Sequence, residues 1–182
     1  MTVLIIIAII ALIVLWVISV QRKLVAKDEI CKNALSQIGV QQNSRWDALT
    51  ALVELIKTYN EHEYNTLRDV IASRKNLGAG SSVQDVQEAD NAITGALRQI
   101  NVVAERYPDL KANENYKTAM DSVNVYENQV RTSRMVYNDS VTTYNNIVRQ
   151  FPDSFVASLL KFQQRDYLQE PQGKTEMPSM KF

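Results

Sequence analysis

Glycine, proline, cysteine and histidine are all scarce in this chain of 182 residues, which has five Gly, four Pro, one Cys and one His. All four prolines stand at Pro108 or later, so the frequent turns of a β-sandwich or barrel are missing and a mostly helical fold is favoured. The single Cys31 excludes a disulfide framework. Cys31 and His62 together cannot supply the ligands of a Cys/His zinc site. We therefore predict neither a metal nor another cofactor.

An excess of charge of either sign is also missing, because 20 Lys and Arg balance 20 Asp and Glu. Nucleic-acid-binding proteins usually carry a clear basic excess, so nucleic acid is not expected as a partner. No catalytic motif is legible either. The pair His62-Glu63 lacks the second His that a helical zinc protease needs, and Cys31 has no nearby His to activate it. The sequence predicts a protein without catalytic residues, and an enzyme is the least favoured class.

A long apolar run opens the chain, because residues 3–20 contain no charge, no Gly and no Pro. A helix of that length rises about 27 Å, close to the hydrocarbon thickness of a bilayer. A cleaved signal peptide would have a basic segment first, a shorter apolar core and small residues before the cut. We therefore predict an uncleaved, single-pass transmembrane anchor over residues 1–23, with the lipid bilayer as its partner. Its anchoring residues include Val3, Leu4, Leu12, Leu15, Trp16 and Val20.

The side of the membrane on which the rest of the chain lies follows from its basic residues. Arg22, Lys23, Lys27 and Lys32 all follow the span, and only the amino terminus precedes it. The positive-inside rule then predicts a cytoplasmic C-terminal domain. The exported side stays open, because long domains can cross a membrane whatever their charge.

Beyond the anchor, apolar residues recur at steps of three and four, which predicts helices that bury one face each. We expect an all-α fold: a helical bundle over residues 24–168, in which three long antiparallel helices precede a short fourth, and a disordered tail over 169–182. Short turns at 78–82 and 107–112 favour this bundle over an extended coiled coil. The predicted helices are 24–77, 83–106 with a capping box at Ser81 and Gln84, 113–151 with Asn113 as N-cap, and 153–167.

Four groups of residues, in order along the chain, resemble the bacterial LemA family. They are Ile38-Gly39-Val40-Gln41-Gln42 to His62-Glu63, Arg106-Tyr107-Pro108-Asp109 to Asn113, Tyr137-Asn138-Asp139 to Phe151-Pro152, and Met177-Pro178 to Phe182. The resemblance implies a membrane-anchored antiparallel helical bundle of unestablished biochemical function. LemA-type genes often accompany membrane proteases or phosphatase-like membrane proteins, which implies a role in envelope maintenance. The chain departs from the family at Lys161, where a Gly is usual, and at Leu168, where an aromatic is usual.

Two sets of residues in the predicted bundle are candidates for a site. Glu127 and Arg134 occupy core-type positions about 10.5 Å apart along one helix, so each needs a partner on another helix. If the first and third helices are parallel, Arg134 lies near Glu63, and Glu127 pairs with Arg45, an amide or water. Glu63, Glu127 and Arg134 would then form a buried polar layer that fixes the register. A solvated edge is the alternative. Three tyrosines on the same seam could line a ligand groove or belong to the core; they are Tyr116, Tyr137 and Tyr144.

Two functions of different classes follow from these features. The first is a non-enzymatic, membrane-tethered interaction or scaffold module that binds a membrane protein or a second copy of itself. The second is a sensor or binding domain with a small ligand held in a groove between helices.

Overall fold

The computed structural model describes residues 1–72, 74–78 and 80–169, and within these ranges it contains helices and no strand. The long helices α1, α3 and α5 and the short α6 confirm the predicted all-α class, and α2 and α4 are additional short helices. Residues 170–182, most of the tail predicted to be disordered, lie outside the described residues. The helices are α1 Thr2–Lys57, α2 Glu61–Ala72, α3 Val83–Arg106, α4 Pro108–Ala112, α5 Glu114–Arg149 and α6 Asp153–Leu159.

The apolar N-terminal run and the first helix of the bundle belong to one helix, because the 56 residues of α1 show no break. Residues 1–15 are exposed, including the predicted anchor positions Val3, Leu4, Leu12 and Leu15. An all-apolar helical surface of this length suits lipid and not water. By length and composition, this segment of α1 can cross a membrane.

The predicted first helix, 24–77, is wrong in its second half, because α1 ends at Lys57 and α2 begins at Glu61. Asn60 explains the break without any Gly or Pro. Its side-chain oxygen accepts hydrogen bonds from the backbone N–H groups of His62, at 2.8 Å, and Glu63, at 3.2 Å. These bonds satisfy two of the donors that a helix start leaves unpaired, so Asn60 starts a new helix instead of continuing the old one.

The starts of α3 and α5 agree more closely with the predictions from the sequence. The bounds of α3 are as predicted, but its capping box is formed by Ser82 and Asp85, one residue later than the predicted Ser81 and Gln84. The side chain of Asn113 accepts the backbone N–H of Asn115 at 2.8 Å, as expected for the N-cap of α5.

The predicted fourth helix is too long, because α6 ends at Leu159. Lys161 has a φ of 60°, a left-handed conformation that no helix interior adopts. Residues 162–169 then continue without helical structure. Lys161, where the resemblance implies a Gly, is therefore the residue that ends the helical turn.

Contacts divide the chain into two compact units. Unit 1 contains residues 1–34 and 135–167. Unit 2 contains residues 35–134 and the described end of the chain, Leu168 and Gln169. The core of unit 2 is a cluster of buried apolar side chains centred on Trp46, Ile93 and Val123.

The directions of the helices in unit 2 follow from side-chain contacts near both ends of each helix. Helix α2 runs back along α1, α3 runs parallel to α1, and α5 runs antiparallel to it. The extra reversal at 58–60 makes α1 and α5 antiparallel, whereas the sequence predicted parallel first and third helices. The contacts are Glu54–Tyr64 and Asp47–Arg74 for α2, Arg45–Asp90 and Asn60–Tyr107 for α3, and Tyr59–Asn113 and Arg45–Glu127 for α5.

Candidate functional site

Asp90 of α3 is the centre of a buried polar layer in unit 2. Its side chain is 5% exposed and accepts hydrogen bonds from three residues. Gln42 Nε2 lies 3.1 Å and Arg45 Nη1 3.2 Å from Oδ1, and Arg134 Nη1 lies 3.3 Å from Oδ2. Arg45 also donates to Glu127 Oε2 at 3.0 Å. Two guanidinium groups and two carboxylates thus form a network without net charge that joins α1, α3 and α5.

The pKa of Arg45 shows that burial disfavours the charges of this network. Burial lowers the pKa of Arg45 from its ordinary value, although the neighbouring carboxylate of Asp90 acts in the opposite direction. Desolvation disfavours the charged form of a guanidinium and so lowers its pKa. Removing one carboxylate would therefore leave a buried charge without compensation.

The structure brings Glu127 and Arg134 into one layer but places Glu63 elsewhere. Arg134 is 8% exposed and contacts Asp90, so the predicted Arg134–Glu63 pairing is wrong. Glu63 instead accepts a hydrogen bond from Arg106 at 3.1 Å. The physical reason is the reversal at 58–60, which directs α2 back along α1.

The three seam tyrosines are buried, and among them only Tyr137 and Tyr144 share a unit. Tyr137 donates its hydroxyl hydrogen to the carbonyl of Asp166 at 3.0 Å, and Tyr144 donates to that of Gln163 at 2.9 Å. Burial raises the pKa of Tyr137 to about 12, so its hydroxyl stays protonated as a donor. The hydroxyl groups of Tyr137 and Tyr144 thus hold the chain after α6 in place.

Asn145 holds the same segment from the next position on α5. Its amide makes two hydrogen bonds with the backbone of Arg165, one accepted at 2.9 Å and one donated at 3.0 Å. Arg165 in turn donates through Nε to Asp28 of α1 at 2.6 Å. Burial alone would raise the pKa of Asp28, but hydrogen bonds from Arg165 and Lys32 outweigh it and hold that pKa below its ordinary value.

Cys31 is fully buried in unit 1. Burial raises the pKa of its thiol, so the neutral and unreactive form is favoured. The described residues contain no group of three or more His, Cys, Asp or Glu that could hold a metal ion.

An open groove of about 660 Å³ lies on the surface of unit 2, between α1 and α5. Most of its lining side chains are small, and two carboxylates, Asp47 and Glu54, contribute negative charge. We call it the small-residue groove. Its lining is Ser44, Asp47, Ala48, Ala51, Glu54, Leu55, Asn115, Thr118, Ala119, Ser122 and Tyr126.

Sequence reasoning did not identify Asp90 or the small-residue groove. Asp90 had a detectable signal, because it follows Val86 by four residues and precedes Ile93 by three, and so lies within the apolar stripe of α3. The groove had none, because its small residues lie on two helices far apart in sequence and become neighbours only through the packing of α5 against α1.

The chain is similar to known proteins along most of its length. The sequence model of the LemA family matches residues 34–182. Magnetosome proteins MamQ 1 and MamQ 2 of Paramagnetospirillum magneticum are each 33% identical over 88 residues, which are 48% of this chain and 32% of theirs. Magnetosome protein MamQ of Magnetospirillum gryphiswaldense is 29% identical over 102 residues, 56% of this chain and 38% of its own. The chain therefore matches only about a third of the length of these relatives.

Proposed function

Because the chain belongs to the LemA family, we propose that this membrane-associated helical protein is a non-enzymatic, membrane-tethered scaffold. In this proposal it binds another membrane protein or a second copy of itself and contributes to envelope maintenance. The observation that supports the proposal is the small-residue groove, an open depression on unit 2 lined mostly by small side chains. The partial match to magnetosome proteins supports a common helical architecture and does not by itself supply a shared role.

A helix of a partner fits the chemistry of this groove. Ala48, Ala51 and Ala119 project little beyond the backbone, so another helix can approach closely, as in helix-in-groove recognition. The side chain of Asp47 is 69% exposed, although its Oδ1 also pairs with Nη1 of Arg74 at 2.6 Å. The partner helix should therefore carry large apolar residues flanked by a basic residue.

Site-specific photocrosslinking of the full chain in its native membranes tests the proposal. A photoreactive amino acid replaces Ala51 or Ala119 in the groove, and Val102, exposed on α3 and absent from the groove lining, is the matched control. We expect one discrete adduct from both groove positions and none from Val102. The crosslinked peptide should come from an apolar helix with a basic flank, and Ala48→Arg should abolish the adduct.

The adducts distinguish a second copy of the chain from another membrane protein. They also show whether the proposal fails. An adduct of twice the mass of the chain identifies a second copy. Equal adducts from Val102, or a groove adduct that persists in Ala48→Arg, would contradict a specific helix-binding groove.

A sensor or small-ligand-binding domain is the second candidate, and the volume of the groove favours it. About 660 Å³ falls within the range of ligand pockets, roughly 300–1,000 Å³. Native mass spectrometry of the full chain, released from detergent, distinguishes the two functions. A retained molecule of a few hundred daltons that is lost in Ala48→Arg would favour ligand binding over scaffolding.

We infer a cytoplasmic location for the soluble part from Arg22, Lys23, Lys27 and Lys32, which follow the span. Cys31 cannot report sidedness, since it is buried on either side of the membrane. An exposed Val125→Cys in a Cys31→Ala background can report it. We expect no reaction with a membrane-impermeant thiol reagent in whole cells and full reaction after lysis; reaction in intact cells would place the domain on the exported side.

A further inference from the structure

Helix α6 exposes an apolar face that the packing of unit 1 does not explain. Phe151, Phe155 and Leu159 are 88%, 67% and 65% exposed. Phe155 and Leu159 are four residues apart and therefore lie on one side of the helix. Ala157, on the opposite side, and Val156, at the edge of this face, are fully buried in the unit. Large exposed apolar side chains gathered on one face mark a surface that something else covers.

The position of this face points to the bilayer as its cover. Asp153, the first residue of α6, pairs with Lys23 at 3.1 Å. Lys23 follows Val20, the last residue of the apolar run, by about 4.5 Å of helix rise. Val20 is buried and Trp16 is half-buried, although the helix before them is exposed. Unit 1 thus covers the last turn of the membrane span, and α6 lies at the level where the span ends.

The charges around this face also suit a membrane surface. Arg149 precedes Phe151 by two residues, Lys161 follows the end of α6, and both side chains are exposed. Aromatic and aliphatic side chains between basic residues are typical of segments that lie in the interface of a bilayer. Basic residues at that level are attracted to anionic headgroups.

We propose that α6 is a second membrane contact, in which Phe151, Phe155 and Leu159 enter the interfacial region of the phospholipid bilayer that α1 crosses. The contact fixes the orientation of unit 1 on the membrane, because two points of attachment restrict rotation more than one. The proposal rests on the membrane span of α1 and is independent of the scaffold role.

Spin labels on the full chain test this contact in nanodiscs that each hold one copy. The label is attached to Phe155→Cys in a Cys31→Ala background, and to Phe151→Cys as a second position in case the first variant does not fold. Val136→Cys is the matched control, an apolar residue of unit 1 that is 54% exposed and lies beside Ile30, ten residues beyond the span. Collision rates with oxygen report lipid, and those with a water-soluble nickel complex report water.

We expect the oxygen-to-nickel ratio at positions 155 and 151 to exceed that at 136 several-fold. Leu159→Glu should lower the ratio at position 151, whereas Val136→Glu should leave it unchanged. Equal ratios at 155, 151 and 136 would overturn the proposal. A high ratio found only in vesicles with several copies, and not in one-copy nanodiscs, would also overturn it, because a second chain would then cover the face.

Discussion

In unit 2, a few buried charged residues fix the register between helices more than they add to the stability of the fold. Asp90 meets two guanidinium groups in a region with little water, and Arg45 shares its charge between Asp90 and Glu127. An apolar set of similar volume could pack there at no greater cost. The network instead forms in only one alignment of α1, α3 and α5. If one of these helices moved by one turn along its axis, its donors would no longer reach their acceptors.

The network gives a first prediction, for Arg134→Ala and Asp90→Ala. Asp90→Ala should cost about 3 kcal/mol or more, because it removes the carboxylate that two buried guanidinium groups share. Arg134→Ala should cost less, because Asp90 keeps its hydrogen bonds from Arg45 and Gln42. The double variant should cost less than the sum of the two, because their interaction is lost only once. Thermal melts of the full chain in one detergent measure these costs. The control is Arg134→Ala with Glu63→Ala, which should be additive; coupling there and additivity with Asp90 would contradict the observed pairing.

Asp28 gives a second prediction, for the effect of acid. Its folded-state pKa lies below the ordinary value of about 3.9, so its ion pair with Arg165 stabilises the fold above that pH. The stabilisation is lost as the pH falls through the lower, folded-state value. The Tm difference between the wild type and Asp28→Asn should therefore be constant at neutral pH and shrink below about pH 4.

The matched control for this experiment is Asp139→Asn, which changes an exposed aspartate of unit 1. Its Tm should follow that of the wild type at every pH. A gap for Asp28→Asn that grows on acidification would show that the carboxylate destabilises the fold.

At the scale of elements, the sequence predicted the long helices well and their connections poorly. The bounds of α3 and the cap at Asn113 were readable, because caps and apolar periodicity are local signals. The break at Asn60 could not be read from the sequence, because the segment contains neither Gly nor Pro. Because the reversal at 58–60 was not predicted, the predicted direction of α5 relative to α1 was wrong, and so was the predicted partner of Arg134. The site was thus half predictable: apolar periodicity placed Glu127 and Arg134 in the layer, but it missed Asp90, and only the topology decides which charges pair.

The end of α6 gives a third prediction. Lys161 adopts a left-handed conformation that costs a residue with a Cβ about 1–2 kcal/mol. Lys161→Gly should therefore stabilise the protein by about 0.5–1 kcal/mol, after the greater freedom of Gly in the unfolded chain is subtracted. The control is Arg131→Gly on the exposed side of α5, which should destabilise by about 1 kcal/mol. Urea unfolding in detergent compares the two; a loss of stability in Lys161→Gly would show that the lysine side chain contributes more than the strain costs.

At the scale of the whole molecule, one helix joins the lipid-facing run to the packed core. Helix α1 continues without a break from Thr2 to Lys57, and its exposure changes from lipid-like to buried between Leu15 and Val20. Residues 2–34 of this helix belong to unit 1, and residues 35–57 belong to unit 2.

The anchor gives the last prediction, for the chain isolated from membranes. Residues 1–20 should be present in its intact mass, because the apolar run is longer than a signal-peptide core and lacks small residues before a cut. The protein should also stay with the membrane pellet in alkaline carbonate and enter solution only with detergent, as a hydrophobic span of this length requires. A variant that lacks residues 2–19 is the control, and alkaline carbonate should release it, since α6 alone offers only an interfacial contact. A mass that begins after Val20, or full-length protein in the carbonate supernatant, would show that α1 does not anchor the chain.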